Sequence, residues 1–424
     1  MIGTRLRHLR VARGMTQREL ASPRYTHAYV STIEAGRRRP SREAVEFFAS
    51  KLGVGVEELL TGRPPDLEAR LELRLHEARH ALSDGRLEEG RASLQAIARE
   101  AARYGLETLR ARAEEGLGLA LEREGRPEEA LVHFERAEAI ARSGSPAAAV
   151  DAVAGKARCF HSLGDVRYAI HLLESLLDEL ERQRLRDPDA LARLHAGLVY
   201  SYLDAGLYRK AAESASELEQ LAPSVRDPIR IAQMHMNVAR LHLTSGRVGE
   251  ALRSLRRAED GYRQLDLKSE MGGAHLARGY VLSREGRLAE AREQLERARE
   301  IFEATGDEKD LVRAINELAR VERLEGNPDR ARELLERSIA LTGESDAPIL
   351  AWAHRELGLA LGETNPRTAE KHFRTAIDLY ERAEQAVDIA VTYRALGDLL
   401  RSRGDEAAGF EAYRTGILAL EPHL

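Results

Sequence analysis

Cysteine is almost missing from this 424-residue chain: Cys159 stands alone. One thiol builds neither an intrachain disulfide framework nor a cysteine metal site, which points to a reducing cytosol. Aromatic residues make up only 5%, few for a β-sandwich or barrel and suited to packed helices rich in Ala and Leu. No stretch approaches the ~18 consecutive apolar residues that span a bilayer. The segment Met1 to Met15 is basic but has no apolar run, so it does not read as a signal peptide. The expectation is a cytoplasmic protein with no membrane partner. Lysine is scarce too, six residues against many arginines. That reads as codon usage in a G+C-rich bacterial genome and not as chemistry.

What is present is apolar surface to bury and a lopsided charge. Hydrophobic residues are 43% and charged residues 32% of the chain. The length suits two to four ordinary domains, or one repeat array with something smaller attached. The formal charge of −5 conceals a division. Residues 1–42 carry ten arginines against Glu19 and Glu34, a net of +8; residues 1–63 net +6, leaving −11 for the rest. A basic head on an acidic body points to a polyanionic partner at the head alone.

The clearest punctuation is Gly62-Arg63-Pro64-Pro65-Asp66, where two prolines forbid a continuous helix. Beyond it a glycine, once an asparagine, recurs at Gly85, Gly125, Gly164, Gly206, Gly246, Gly286, Gly326, Asn365 and Gly404, in steps of 39–42. About five residues after each stands a small residue, such as Ala130, Ala251 or Ala331, and about four further on a larger one, such as Phe134, Leu255 or Leu335. In this unit one helix closes at a left-handed glycine. The small residue lies where the second helix crosses the first, and the larger one fills the groove a turn later. Each pair leaves an apolar side bare, so neighbours stack into a solenoid.

These residues resemble the tetratricopeptide repeat family. The best copy is Leu117-Gly118, Leu121, Gly125, Ala130, Phe134 and Ala137; others run through Gly279, Leu282, Gly286, Ala291, Leu295 and Ala298, and through Leu357-Gly358, Leu361, Ala369, Phe373 and Ala376. The period exceeds the family's usual ~34 residues, so the helices are expected to be longer. Such longer copies occur in its signalling and peptide-sensing branches.

The head reads as five short helices. Leu6, Leu9 and Arg10 share a face of the first, which ends near Gly14. Thr16 and Glu19 form a capping box for a second helix at about 17–22, stopped by Pro23. Thr26 caps a third, running through Tyr29, Val30 and Ile33 to about Glu34. Pro40-Ser41 starts a fourth, with Val45, Phe48 and Leu52 inward, and residues from Val54 to Leu60 form a fifth. This is the outline of a helix-turn-helix module. The stretches "LRHLRVARGMTQRELA", "YVSTIEAGRRRPS" and "EAVEFFASKLGV" resemble the Xre and lambda/434 repressor family. They depart from it between Leu20 and Tyr29, where the family usually has a Gly turn one residue longer.

The resemblance implies that the third helix lies in the major groove of double-stranded DNA, with Thr26, His27 and Tyr29 near base edges. It implies that Gln17 contacts a phosphate or base, that Arg24 reaches either, and that Arg37, Arg38 and Arg39 meet phosphates. It also implies a structural ion pair between Arg10 and Glu34. The family's first repeat helices line a concave groove. Counting back from each glycine places Arg158, His161, Tyr200, Asp204, Asn237, Arg240, Tyr280, Arg284, Asn316, Arg320, Arg323 and Arg355 there, with Asn237 and Asn316 read as equivalent positions two repeats apart. Asparagine both donates to and accepts from a peptide backbone, and arginine pairs a carboxylate through two bonds. The groove reads as a cradle for a peptide or acidic segment, similar to Gram-positive regulators that sense peptide pheromones; the plainer alternative is a solvated face.

Two chemical patterns are discounted. His76-Glu77-Ala78-Arg79-His80 satisfies H-E-x-x-H, but no obvious third ligand follows and no β-structure flanks it, so the reading assigns it to chance on a polar helix. Cys159 reads as a small buried residue. With no phosphate-cradling loop either, no catalytic residue, metal or cofactor is expected. The whole is an all-α chain: a helix-turn-helix domain over residues 1–62, a linker at 63–67, and an α-solenoid of about nine repeats over 68–424. The expected function is a transcription regulator, paired as a homodimer to read two half-sites, whose array senses a peptide or protein. The alternative is a scaffold that recruits a protein partner, with DNA binding secondary.

Overall fold

The computed structural model describes residues 2–64, 66–342, 346–383 and 385–420, and these form helices with no strand among them. Contacts divide the chain into two units, residues 1–82 with 87–165, and residues 83–86 with 166–424.

The first unit opens with α1 (Ile2–Ala12), α2 (Gln17–Ala21), α3 (His27–Glu34), α4 (Arg42–Leu52) and α5 (Val56–Thr61). The caps act as their sequences predict. Thr16 accepts from the Glu19 amide while Glu19 reaches back to the Thr16 amide at 2.7 Å. Thr26 and Ser41 cap α3 and α4, and Gly53 closes α4 at φ +62°. Leu6, Leu20, Val30, Ile33, Val45, Phe48, Leu52 and Leu59 fill one small core. Gly3 lies against the end of α3, where a Cβ would meet the Ile33 carbonyl at 2.0 Å. No larger residue keeps that close crossing.

The same unit continues with α6 (Leu67–Ser83), α7 (Leu87–Tyr104), α8 (Glu107–Arg123), α9 (Pro127–Ala141) and α10 (Val150–Ser162). α6 begins at Leu67, inside the stretch read as linker. The second unit holds α11 (Val166–Arg182), α12 (Pro188–Asp204), α13 (Tyr208–Leu221), α14 (Pro228–Thr244), α15 (Val248–Gln264), α16 (Lys268–Arg284) and α17 (Leu288–Thr305). It ends with α18 (Glu308–Leu324), α19 (Pro328–Thr342), α20 (Ala347–Leu361), α21 (Pro366–Arg382), α22 (Ala386–Ser402) and α23 (Glu406–Leu418). Most helices run 13–18 residues, as the long repeat demands.

Eight of the nine recurrent positions behave alike. The glycines from Gly85 to Gly326, and Gly404, sit at φ between +69° and +88°. Asn365 is the exception: at φ −143° it is an extended N-cap whose side chain accepts from the Thr368 amide. The expected left-handed closure is replaced there by a cap on the following helix. The small residues are buried to the last few per cent, Ala130, Ala169, Ala211, Ala251, Ala291, Ala331 and Ala369 all at 0% exposure. They let the paired helices cross closely, with Phe134, Leu255, Leu295, Leu335 and Phe373 packed a turn later. No described helix is long and apolar enough to cross a membrane.

Candidate functional site

In the head, the core fixes α3 from beneath and leaves its start open. Thr26, His27 and Ala28 are exposed, as are Arg24 and the run Arg37, Arg38 and Arg39 after α3. Arg24, Arg37 and Arg39 form no ion pair among the described residues, and Arg38 lies over the Tyr29 ring at 4.9 Å. Tyr29 is half-buried and stacked on Tyr25 at 5.1 Å, with Phe48 behind it. It therefore forms the seat of α3 and offers only an edge to a ligand.

The Ala21 to Ala28 turn, which the sequence marks as departing from the usual glycine turn, is built on Tyr25. Tyr25 folds back so that its amide bonds the Ala21 carbonyl at 2.8 Å. Its ring packs on Phe47 and Phe48, each at 5.3 Å. The sequence reading overlooked Tyr25. An aromatic between a proline and an N-cap, four residues before another aromatic, was the signal that could have found it.

Arg10 and Glu34 meet as the resemblance implied, with Nε to Oε1 at 2.7 Å and Nη2 to Oε2 at 3.0 Å. Arg10 also donates to the Met15 carbonyl, so one guanidinium ties α1, α3 and the turn before α2. Gln17 joins them, its Nε2 donating to Glu34 Oε2 at 2.9 Å. One N–H of that amide is engaged inside the head, which leaves its second N–H and the carbonyl oxygen for any outside contact. Burial alone would raise the Glu34 carboxyl, but the bonds from Arg10 and Gln17 hold it below its ordinary range.

The groove positions fall into a repeating register. Arg158, Tyr200, Arg240, Tyr280 and Arg320 each stand six residues before the closing glycine, on α10, α12, α14, α16 and α18. Successive first helices thus alternate cation and aromatic. In the second unit Arg240 lies over the Tyr200 ring at 4.3 Å, and Arg284 over Tyr280 at 4.9 Å. Both guanidiniums remain exposed, and Tyr280 is 39% exposed.

Other members are committed to the fold. Arg158 pairs with Glu122 through three contacts of 2.8–3.1 Å, linking α8 and α10. Arg323 holds buried Glu356 at 3.0 Å, and Arg355 holds Asp388 at 2.6 Å.

Asn237 and Asn316 are not equivalent. Asn237 stands nine residues before Gly246 and Asn316 ten before Gly326, which turns them about 100° apart around the helix. Asn237 donates to the Gln233 carbonyl at 3.1 Å. Asn316 is 6% exposed and its Oδ1 has no hydrogen-bond partner among the described residues. The counterpart of Asn237 is Glu317, whose Oε2 is also buried without a partner. Burial raises the Glu317 carboxyl despite the pull of Arg320 and Arg284.

Cys159 is fully buried, and burial pushes its thiol up to about 12. It is the small buried residue that the sequence suggests.

Family models agree with this anatomy. A helix-turn-helix domain matches residues 2–61, and tetratricopeptide repeats match residues 75–146, 270–344 and 311–382. The chain carries a helix-turn-helix head on a tetratricopeptide array. No curated protein matches it in sequence. Among solved structures it is similar to a Rap protein complexed with competence and sporulation factor, at 17% identity and a TM-score of 0.59, covering 84% of this chain and 98% of that one. It is also similar to the apo quorum sensor NprR of B. thuringiensis, at 14% identity and a TM-score of 0.56, covering 84% and 100%. A third is aspartyl phosphate phosphatase F of Bacillus subtilis, at 14% identity and a TM-score of 0.53, covering 83% and 94%. At these identities the likeness is one of fold.

Proposed function

We propose that the protein is a sequence-specific DNA-binding transcription regulator whose repeat array senses a peptide or protein ligand. The observation that carries the first half is the exposed start of α3 beside Arg24, Arg37 and Arg39, held rigidly over an aromatic seat. In this reading Thr26 and His27 meet base edges, the arginines meet phosphates, and Arg38 bridges from the Tyr29 ring to the backbone. Gln17 contributes its second amide N–H to a phosphate or base acceptor, or its oxygen to a base donor. The protein works in the cytoplasm as a homodimer on paired half-sites.

The second half rests on the repeat register. Tyr200, Arg240, Tyr280, Arg284 and Arg320 supply cationic and stacking groups on successive first helices, while Asn316 Oδ1 and Glu317 Oε2 stay buried in α18. That combination suits a peptide with carboxylates for the arginines and flat groups for the tyrosine rings. The fold-level neighbours support it: one was solved with a competence and sporulation factor, and another is a quorum sensor. Asn237 and Arg323 complete the groove as residues whose bonds exchange when the ligand enters. Catalysis has no place in this reading.

A mobility-shift titration of the full chain on duplex DNA tests the head. Arg37→Ala and Arg39→Ala weaken all sequences alike, each lowering the salt slope by about 0.9. His27→Ala changes which sequences are preferred. Binding that ignores all three changes removes the proposed reading surface. The rival is a scaffold whose array recruits a protein with DNA binding secondary. If deleting residues 1–63 leaves partner binding and cellular phenotype intact, the scaffold reading wins.

A further inference from the structure

The His76 and His80 pair is the motif that the regulator reading leaves unused. α6 sets the two four residues apart on one face. Their Nε2 atoms lie 3.1 Å apart, with ring centroids at 4.5 Å and planes at 73°. His76 is exposed and His80 partly so. With both rings neutral, one Nε2–H donates to the other Nε2. Moving that proton to Nδ1 of its own ring leaves two lone pairs facing across the gap, the form in which imidazole ligates a metal.

The gap has the size of a chelate. Imidazole bonds to zinc and its neighbours are about 2.0–2.1 Å long. Two such bonds that span 3.1 Å subtend about 98°, between the square angle of about 90° and the tetrahedral angle of about 109°. We propose that His76 and His80 form an open bidentate site for a late first-row divalent cation, of the class Cu²⁺, Ni²⁺ or Zn²⁺. Imidazole selects these over Mg²⁺ and Ca²⁺, which take oxygen ligands.

The surroundings fix the character of the site. Among the described residues no third histidine, cysteine or carboxylate joins the pair to make a three-ligand group. Glu72, one turn earlier on the same face, is engaged by Arg112 at 2.6 and 2.7 Å. Water therefore fills the remaining positions, and the cation exchanges readily, unlike a closed structural zinc. The hydrolytic arrangement that H-E-x-x-H suggests lacks its third ligand. What the site supplies is a clasp across one turn of α6, the helix that opens the repeat array.

The test uses the untagged full chain, stripped with chelator and titrated with CuCl₂ by calorimetry and followed by electron paramagnetic resonance. The site predicts one equivalent bound in the micromolar range, a spectrum with nitrogen couplings, and affinity about tenfold or more weaker in both His76→Gln and His80→Gln. His354→Gln serves as control. His354 and His372 also approach, with Nδ1 to Nδ1 at 2.9 Å, but their rings are stacked at 25° and half-buried. Because α6 exposes both proposed ligands, the glutamine variants keep the fold, which circular dichroism checks. Equal copper binding by wild type and both α6 variants, or loss only with His354→Gln, overturns the proposal, as does the absence of any saturable binding.

Discussion

Two glycines owe their place to one ring. A Cβ on Gly118 would come within 2.8 Å of Phe134, and one on Gly155 within 2.3 Å. The phenyl group therefore fills the space that two helices leave by having no side chain there. Gly155→Ala overpacks this site and costs about 1–3 kcal/mol, while Phe134→Ala empties it and costs about 3–5 kcal/mol. Amide hydrogen exchange across α8 to α10 reads both as lost protection; unchanged exchange in Gly155→Ala would show that the ring simply moves aside. A second residue, Glu34, gathers Arg10 and Gln17 with its side chain 5% exposed. Glu34→Ala strands the Arg10 guanidinium and is expected to destabilise the head by about 2–3 kcal/mol, less than a fully enclosed pair because Arg10 keeps some water. The same exchange measurement, taken over α1 to α3, checks it.

Helix pairs in the second unit carry a group of histidines that burial keeps neutral. His195, His235, His242, His275, His354 and His372 all have lowered pKa values, desolvation being the first cause in each, with His354 at about 4. An unfolded chain protonates the same rings near ~6.5. The folded state is therefore at full strength above that pH and loses stability as pH falls through it, down to about 4 for His354. Urea midpoints taken from pH 7.5 to 5 are expected to decline, and His354→Asn with His372→Asn to flatten the decline. A midpoint independent of pH in that window would contradict the burial of these rings.

Helices are also where the sequence spoke most clearly. Gly125, Gly246 and Gly286 announced their ends because a left-handed residue is a local requirement. Thr16 with Glu19 announced a start for the same reason. Asn365 misled because one residue type serves as either a closer or a cap, and only the backbone decides. The groove was legible as residue types but not as partnerships. Nothing in the local sequence says that Arg158 meets Glu122 or that Arg323 meets Glu356, since those bonds join residues 33–36 apart. The engagement of Gln17 by Glu34 was hidden likewise, across 17 residues.

Over the whole molecule the charge is divided, and this sets how it would meet DNA. A head of net +6 over residues 1–63 is attached to a remainder of −11. The acidic body repels the phosphate backbone wherever the head is not seated, which favours contact by the head alone. Ligand control, on the proposed reading, requires that the array bind a peptide better in one conformation than in another. An acidic peptide is then expected to bind the wild type and to lose affinity about tenfold or more when Arg240 or Arg284 becomes alanine, since the proposal makes each a charge partner of the peptide carboxylates. Fluorescence anisotropy measures this, and equal affinity would place the ligand elsewhere.

The most direct test of the central claim is selection of bound duplexes from a random pool by the full chain, followed by affinity measurement across a salt series. The account predicts a motif of two related half-sites, bound more weakly as salt rises, with Arg37→Ala and Arg39→Ala flattening that dependence. A chain whose head retains its folded spectrum yet enriches no sequence and binds no duplex at low salt would contradict it.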